Sequence, residues 1–209
     1  RSNLMGLISN GTTIFDAGSL AAGLGGSMTF IKKLTASTSA TLSFVDGASS
    51  VVLDNTYNSY LFTFNNIHPS VDGEKCGFQG NAAGGSGYNE TITSTFFHAA
   101  ANEGGTDAGP LEYEAGYDLA QGTTFQRLTR NTGNANDECF CGWLRLFNPS
   151  DTTFVTNFTA QTQSLQANEY SDNSFIGGYF NTTSAIDEIQ FKMESGNIDS
   201  GTICLYGIS

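Results

Sequence analysis

Along most of the chain, apolar side chains recur at every second position rather than at every third or fourth. The clearest run is 57–67, where Tyr60, Phe62 and Phe64 alternate with Leu61, Thr63 and Asn65. Such alternation puts one set on each face of a strand. His68-Pro69 closes the run, because proline cannot donate to a central ladder. Further strands are predicted at 27–34, 41–45, 51–53, 76–79, 90–98, 123–128, 140–147, 152–161, 175–180, 186–193 and 202–208. The turn Asp46-Gly47 divides the second from the third, and the Gly-, Asn- or Ala-rich stretches 81–87, 99–110 and 132–138 read as loops. The segment 113–119 carries mixed signals.

Roughly a dozen strands at this spacing, with no amphipathic helix of three turns, predict an all-β fold. The expected architecture is a two-sheet antiparallel sandwich, jelly-roll-like, over 28–209. Residues 1–27 differ. Asn10-Gly11 predicts a hairpin turn, and the small apolar run from Gly18 to Gly26 cannot build a core of its own. This Gly-rich N-terminal arm is expected to attach or oligomerise the domain.

Composition sharpens the picture. Aromatic residues make up 12% of 209 residues, 16 of them Phe, enough to fill one core. Charged residues make up only 13%, with 20 acidic against 8 basic and a net charge of −12. Such a surface repels phosphate backbones and anionic membranes, so no nucleic acid and no membrane insertion are expected. No apolar stretch approaches a membrane span, and no basic region precedes an apolar run as in a signal peptide. Met5 is read as the start, with Arg1 to Leu4 as an upstream extension.

The last third carries a phrase with its own physical logic. Ile186, Ile189 and Phe191 precede the turn pairs Gly196-Asn197 and Ser200-Gly201, and Ile203, Leu205 and Ile208 follow them. This predicts a closing hairpin whose last strand pairs deep in a sheet. The phrase, with Cys204-Leu205-Tyr206-Gly207-Ile208 at its end, resembles the ending of tail-fibre-like and virion structural proteins of bacteriophages, many of them marine. The segments 42–47 and 60–69 are also similar to that family, so the resemblance spans roughly 28–208. It implies a β-sandwich and a role at the particle surface, and it implies no catalytic residues. Cys76, Cys139 and Cys141 depart from the family pattern.

Candidate chemistry is sparse. His68 and His98 have no nucleophile-elbow motif to serve, so both read as structural. Asp187 and Glu188 point to opposite faces of a strand. Glu112 and Glu114 share a face and read as solvated charge. Cys139 and Cys141 lack zinc-ligand spacing, and the four cysteines (with Cys76 and Cys204) read as buried free thiols. Asn134, Asn136, Asp137 and Glu138 offer oxygen ligands suited to Ca²⁺, without the EF-hand pattern; no metal site and no cofactor are assigned. Sequons at Asn10, Asn89, Asn157 and Asn181 matter only for a eukaryotic secreted source.

The candidate binding residues are loop aromatics: Tyr88, Tyr113, Tyr117 and Tyr170. A tyrosine offers a flat apolar face with a polar tip, suited to a host-surface glycan, while the plainer reading makes these packing residues. The expected function is a non-enzymatic tail-fibre or receptor-binding module, assembled as a homotrimer and joined to other virion proteins through 1–27. Two alternatives are a capsid decoration protein and a lectin-like carbohydrate-binding module. A depolymerase would need a poised carboxylate pair that the sequence does not single out.

Overall fold

The computed structural model describes residues 7–10, 12–16, 19–20 and 27–209, the first three stretches as backbone. The strands run in chain order β1 (Leu7–Ser9), β2 (Thr12–Asp16), β3 (Ser19–Leu20), β4 (Met28–Thr35), β5 (Leu42–Val45), β6 (Ser59–Pro69), β7 (Cys76–Ala82) and β8 (Ile92–Asn102). They continue with β9 (Glu112–Tyr113), β10 (Ala120–Gly122), β11 (Gln126–Arg127), β12 (Phe140–Phe147), β13 (Asn157–Leu165), β14 (Tyr170–Phe180), β15 (Ile186–Met193) and β16 (Ile198–Ile208). No helix occurs among the described residues. The expected N-terminal hairpin is present: Ser9 faces Thr12, and Asn10 turns at φ 47°. Most of the remaining arm, and the attachment role expected of it, lie outside the described residues.

Two antiparallel sheets build the sandwich. The larger has nine strands in the order β10-β8-β14-β13-β12-β6-β16-β4, with β9 beside β8; the smaller is β11-β7-β15-β5. Eight of these strands, β4, β5, β6, β7, β11, β12, β15 and β16, form a jelly roll. Counted one to eight, they pair as 1-8-3-6 in one sheet and 2-7-4-5 in the other. Every pairing is antiparallel. Strands β13, β14 and β8 are additions that widen the larger sheet beyond β12.

The core follows from the alternation. Tyr60, Phe62 and Phe64 on β6 point inward, as do Phe140 and Leu144 on β12 and Phe158 on β13. Phe44, Phe78 and Phe191 meet them from the smaller sheet. Phe191 is the hub, packed edge-on against Phe44, Phe62 and Phe64 with ring centroids 6.2, 5.4 and 5.3 Å away. Beneath the added strands the interior turns polar: Ser94, His98, Gln126, Thr162, Asp172 and Ser174 are all buried. Irregular chain rather than long paired strands covers that end, and its backbone groups need partners. Thus Gln126 Nε2 donates to the carbonyls of Tyr117 and Arg127, and Thr162 Oγ1 donates to Leu128 O.

Several predicted boundaries move. The strand expected at 152–161 begins only at Asn157. Before it, Asp151 Oδ1 accepts the N–H groups of Thr153 and Phe154 and holds a turn, which leaves Phe154 71% exposed. The segment 51–53 is buried loop, not strand, because Leu53 N donates to Asp46 Oδ1. Strand β14 starts five residues before the predicted 175, so Tyr170 is a strand residue and not a loop one. Of the predicted 123–128 only Gln126–Arg127 forms a ladder.

Candidate functional site

The polar end of the interior converges on Asp172. Its strand neighbour is β8, and the pleat turns Asp172 and Ser174 inward beside His98. Asp172 is fully buried and accepts three donors: Arg130 Nη1 at 3.1 Å, Gln166 Nε2 at 2.9 Å and Ser174 Oγ at 2.7 Å; His98 Nδ1 lies 3.0 Å from the same carboxylate. Arg130 Nη1 also lies 3.1 Å from His98 Nδ1, but a guanidinium cannot accept. It can only donate, so Nδ1 accepts that N–H and the imidazole proton is placed on Nε2. His98 Nε2 is then left facing Glu112 Oε2 at 3.9 Å and, among the described residues, has no hydrogen-bond partner.

Above this cluster lies an open cleft of about 420 Å³, walled by His98, Glu112, Arg130, Asn131, Asn168 and Tyr170. The loop after β8 forms its outer wall. Asn102 pins that loop by accepting the N–H groups of Thr106 and Asp107, so Asp107 can take a 2.7 Å bond from the Tyr170 hydroxyl. That bond raises the Tyr170 pKa. Strand β9 forms the other rim. Its pairing of Glu112 opposite His98 brings one carboxylate to the histidine, and Glu114 reaches Arg130 Nη2 at 3.5 Å. The glutamate pair read from sequence as solvated charge stays solvent-accessible, Glu112 being 55% exposed, while its carboxylates border the buried cluster.

The four candidate tyrosines divide. Tyr170 lines the cleft. Tyr113, 57% exposed, stands on the outer side of β9 and donates its hydroxyl to Asp118. Tyr117 packs against Phe96, and the Arg127 guanidinium lies 4.5 Å above its ring. It is a packing residue whose pKa is raised by burial against the opposing pull of Arg127 and Arg130. Tyr88 lies apart and donates to Glu188 Oε2 at 2.8 Å. Burial and that carboxylate raise its pKa. Only Tyr170 thus belongs to the cleft.

Sequence reasoning missed Asp172, Arg130 and Gln166, and it treated His98 as an isolated side chain. The available signal was Asp172 and Ser174 at alternate positions of a strand, where inward residues should be apolar.

The other candidates are elsewhere. In the 132–138 loop the Glu138 carboxylate turns inward and accepts Ala135 N–H. No group of three or more His, Cys, Asp or Glu able to hold a metal occurs among the described residues. All four cysteines are free: Cys76 and Cys204 are buried, while Cys139 and Cys141 are half-buried. The reading of all four as buried is corrected for that pair, which sits at the bulged end of β12 with both Sγ atoms near Asn66 Oδ1.

No protein-family model matches the chain, and no curated protein or solved structure matches it either.

Proposed function

We propose that this chain is a non-enzymatic structural protein of a bacteriophage particle, a tail-fibre or receptor-binding module whose cleft takes a host-surface glycan. The observation that carries the reading is the widened jelly roll. An architecture that also serves viral capsids and lectins is extended here by β13, β14 and β8, and the extension builds a polar cleft on a braced floor. The cleft chemistry suits a sugar. Amides (Asn131, Asn168), carboxylates (Asp107, Glu112) and one tyrosine can satisfy hydroxyls in both directions. The resemblance of the closing hairpin to phage tail proteins supplies the particle and the homotrimer, and the Gly-rich composition of 1–27 supplies the joining to other virion proteins.

The test is adsorption competition. Purified chain, added to host cells before the particles, is expected to slow adsorption. Asn168→Ala, which changes only the cleft wall, and Tyr170→Ala, which also removes the bond to Asp107, are expected to lose that effect. A folded chain that neither binds cells nor competes refutes the reading.

A further inference from the structure

The outer face of the larger sheet is built unlike the rest of the surface. Strands β4, β6, β8, β12, β13, β14 and β16 together hold only two of the chain's 20 acidic residues. One is Asp172, fully buried on the inner face; the other is Asp199, at the start of β16, where it accepts from Thr38. Apart from Asp199, which is 45% exposed at the end of the sheet and lies 3.7 Å from His68 Nδ1, the outward positions of these strands carry no carboxylate. They carry aromatic and aliphatic groups in cross-strand rows instead. Phe30, Tyr206, Leu61 and Arg145 line up across four strands. Thr63, Trp143, Gln161, Phe175 and Phe97 line up across five. Met28 and Phe30 are 53% and 56% exposed, and the Phe97 and Phe175 rings stack 5.1 Å apart. The cation Arg145 has no carboxylate within ion-pair reach among the described residues; it donates to Ser59 Oγ and lies over Phe147.

We propose that this face is the contact between copies of the chain. Charge selects that occupant. Each copy carries −12, so two copies can meet closely only where neither presents acids. A nucleic acid would demand a cationic face, which Arg145 and Lys33 do not make. A basic partner would be drawn to the acidic loops rather than to this neutral face. Size agrees as well. Seven strands spaced ~4.8 Å, eight to eleven residues long, span ~30 by ~33 Å, on the order of 1,000 Å². That is about the area each partner contributes to a standard interface. The inference deepens the self-association in the proposed function, and its test does not involve glycan binding.

The test is sedimentation of the 209-residue chain from low micromolar to ~100 µM. The expected species has two or three times the 22.2 kDa chain mass. Gln161→Glu keeps the side-chain shape and puts a carboxylate between Trp143 and Phe175. It should weaken association by about 100-fold. Ser86→Glu, in the exposed loop before β8, should leave the mass unchanged. Trp143→Glu is the second variant, read with far-UV circular dichroism to confirm the fold. A wild-type chain that sediments as a monomer throughout overturns the proposal. So does a folded Gln161→Glu or Trp143→Glu that keeps the wild-type mass. A monomer whose face instead retains an insoluble polysaccharide also counts against it.

Discussion

The carboxylate of Asp172, fully buried, lies 3.0 Å from Nδ1 of His98 on the neighbouring strand. This pairing fixes the floor of the cleft. Asp172→Ala would leave Arg130, Gln166 and Ser174 without their shared acceptor. Removing one partner of a buried charged network costs about 3 to 5 kcal/mol. Chemical denaturation should therefore show a loss of about that size. Asp172→Asn, which keeps the shape, should cost less.

Phe191 joins the two sheets. Its truncation to alanine empties the space between Phe44, Phe62 and Phe64. A loss of about 3 to 5 kcal/mol is expected in the same denaturation series. Phe154→Ala is the contrast: that ring is 71% exposed, and its loss should leave stability within about 0.5 kcal/mol of the wild type.

Gly142 marks the bulge where β12 shifts register against β6. Its φ is +154°, and an added Cβ would sit 2.2 Å from Gln161 O on β13. Backbone cannot yield as a flexible side chain would, so Gly142→Ala should lower the melting temperature. Gly84→Ala, in an open loop with nothing within 4 Å of the added carbon, should cost only the strain of its positive φ.

Asp187 has a raised pKa, first because burial disfavours its charge and then because Glu188 and Asp46 are near. Its buried Oδ1 has no hydrogen-bond partner among the described residues. A carboxylate raised on folding favours the folded state fully below its ordinary value of 3.8, and that contribution is lost as pH rises through the folded value. Asp187→Asn should therefore raise the melting temperature at pH 7. The gain should shrink as the pH falls toward 3.8, where wild-type Asp187 is protonated as well.

Thiol labelling should follow burial. The Cys76 thiol is fully buried and pushed up to about 12, so it should react only on unfolding. Cys139 and Cys141, half-buried at the end of β12, should react first in the native protein. Early labelling of Cys76 would mean that β7 opens locally.

The sequence made the jelly roll legible where inward positions are aromatic or aliphatic. Strands β6, β12, β15 and β16 keep inward aromatic or aliphatic residues despite their bulges, and their boundaries fall within a few residues of the predicted ones. It failed where both faces of a strand are polar. Tyr170 to Ser174 reads as loop because its inward residues are Asp172 and Ser174, and Asp172 is held by Arg130, 42 residues away in sequence. The cleft was hidden for the same reason. Its floor combines His98, Arg130 and Asp172, which only the pairing of β14 with β8 brings together. Tyr170 was found by residue type, while Tyr88, Tyr113 and Tyr117 show how weak that signal is alone.

The most direct measurement of the central claim is immunogold electron microscopy of intact particles with antibody raised to this chain. The proposed function predicts gold at the tail tip. Gold spread over the head would contradict the receptor-binding reading in favour of capsid decoration, and particles without gold would contradict a virion role altogether.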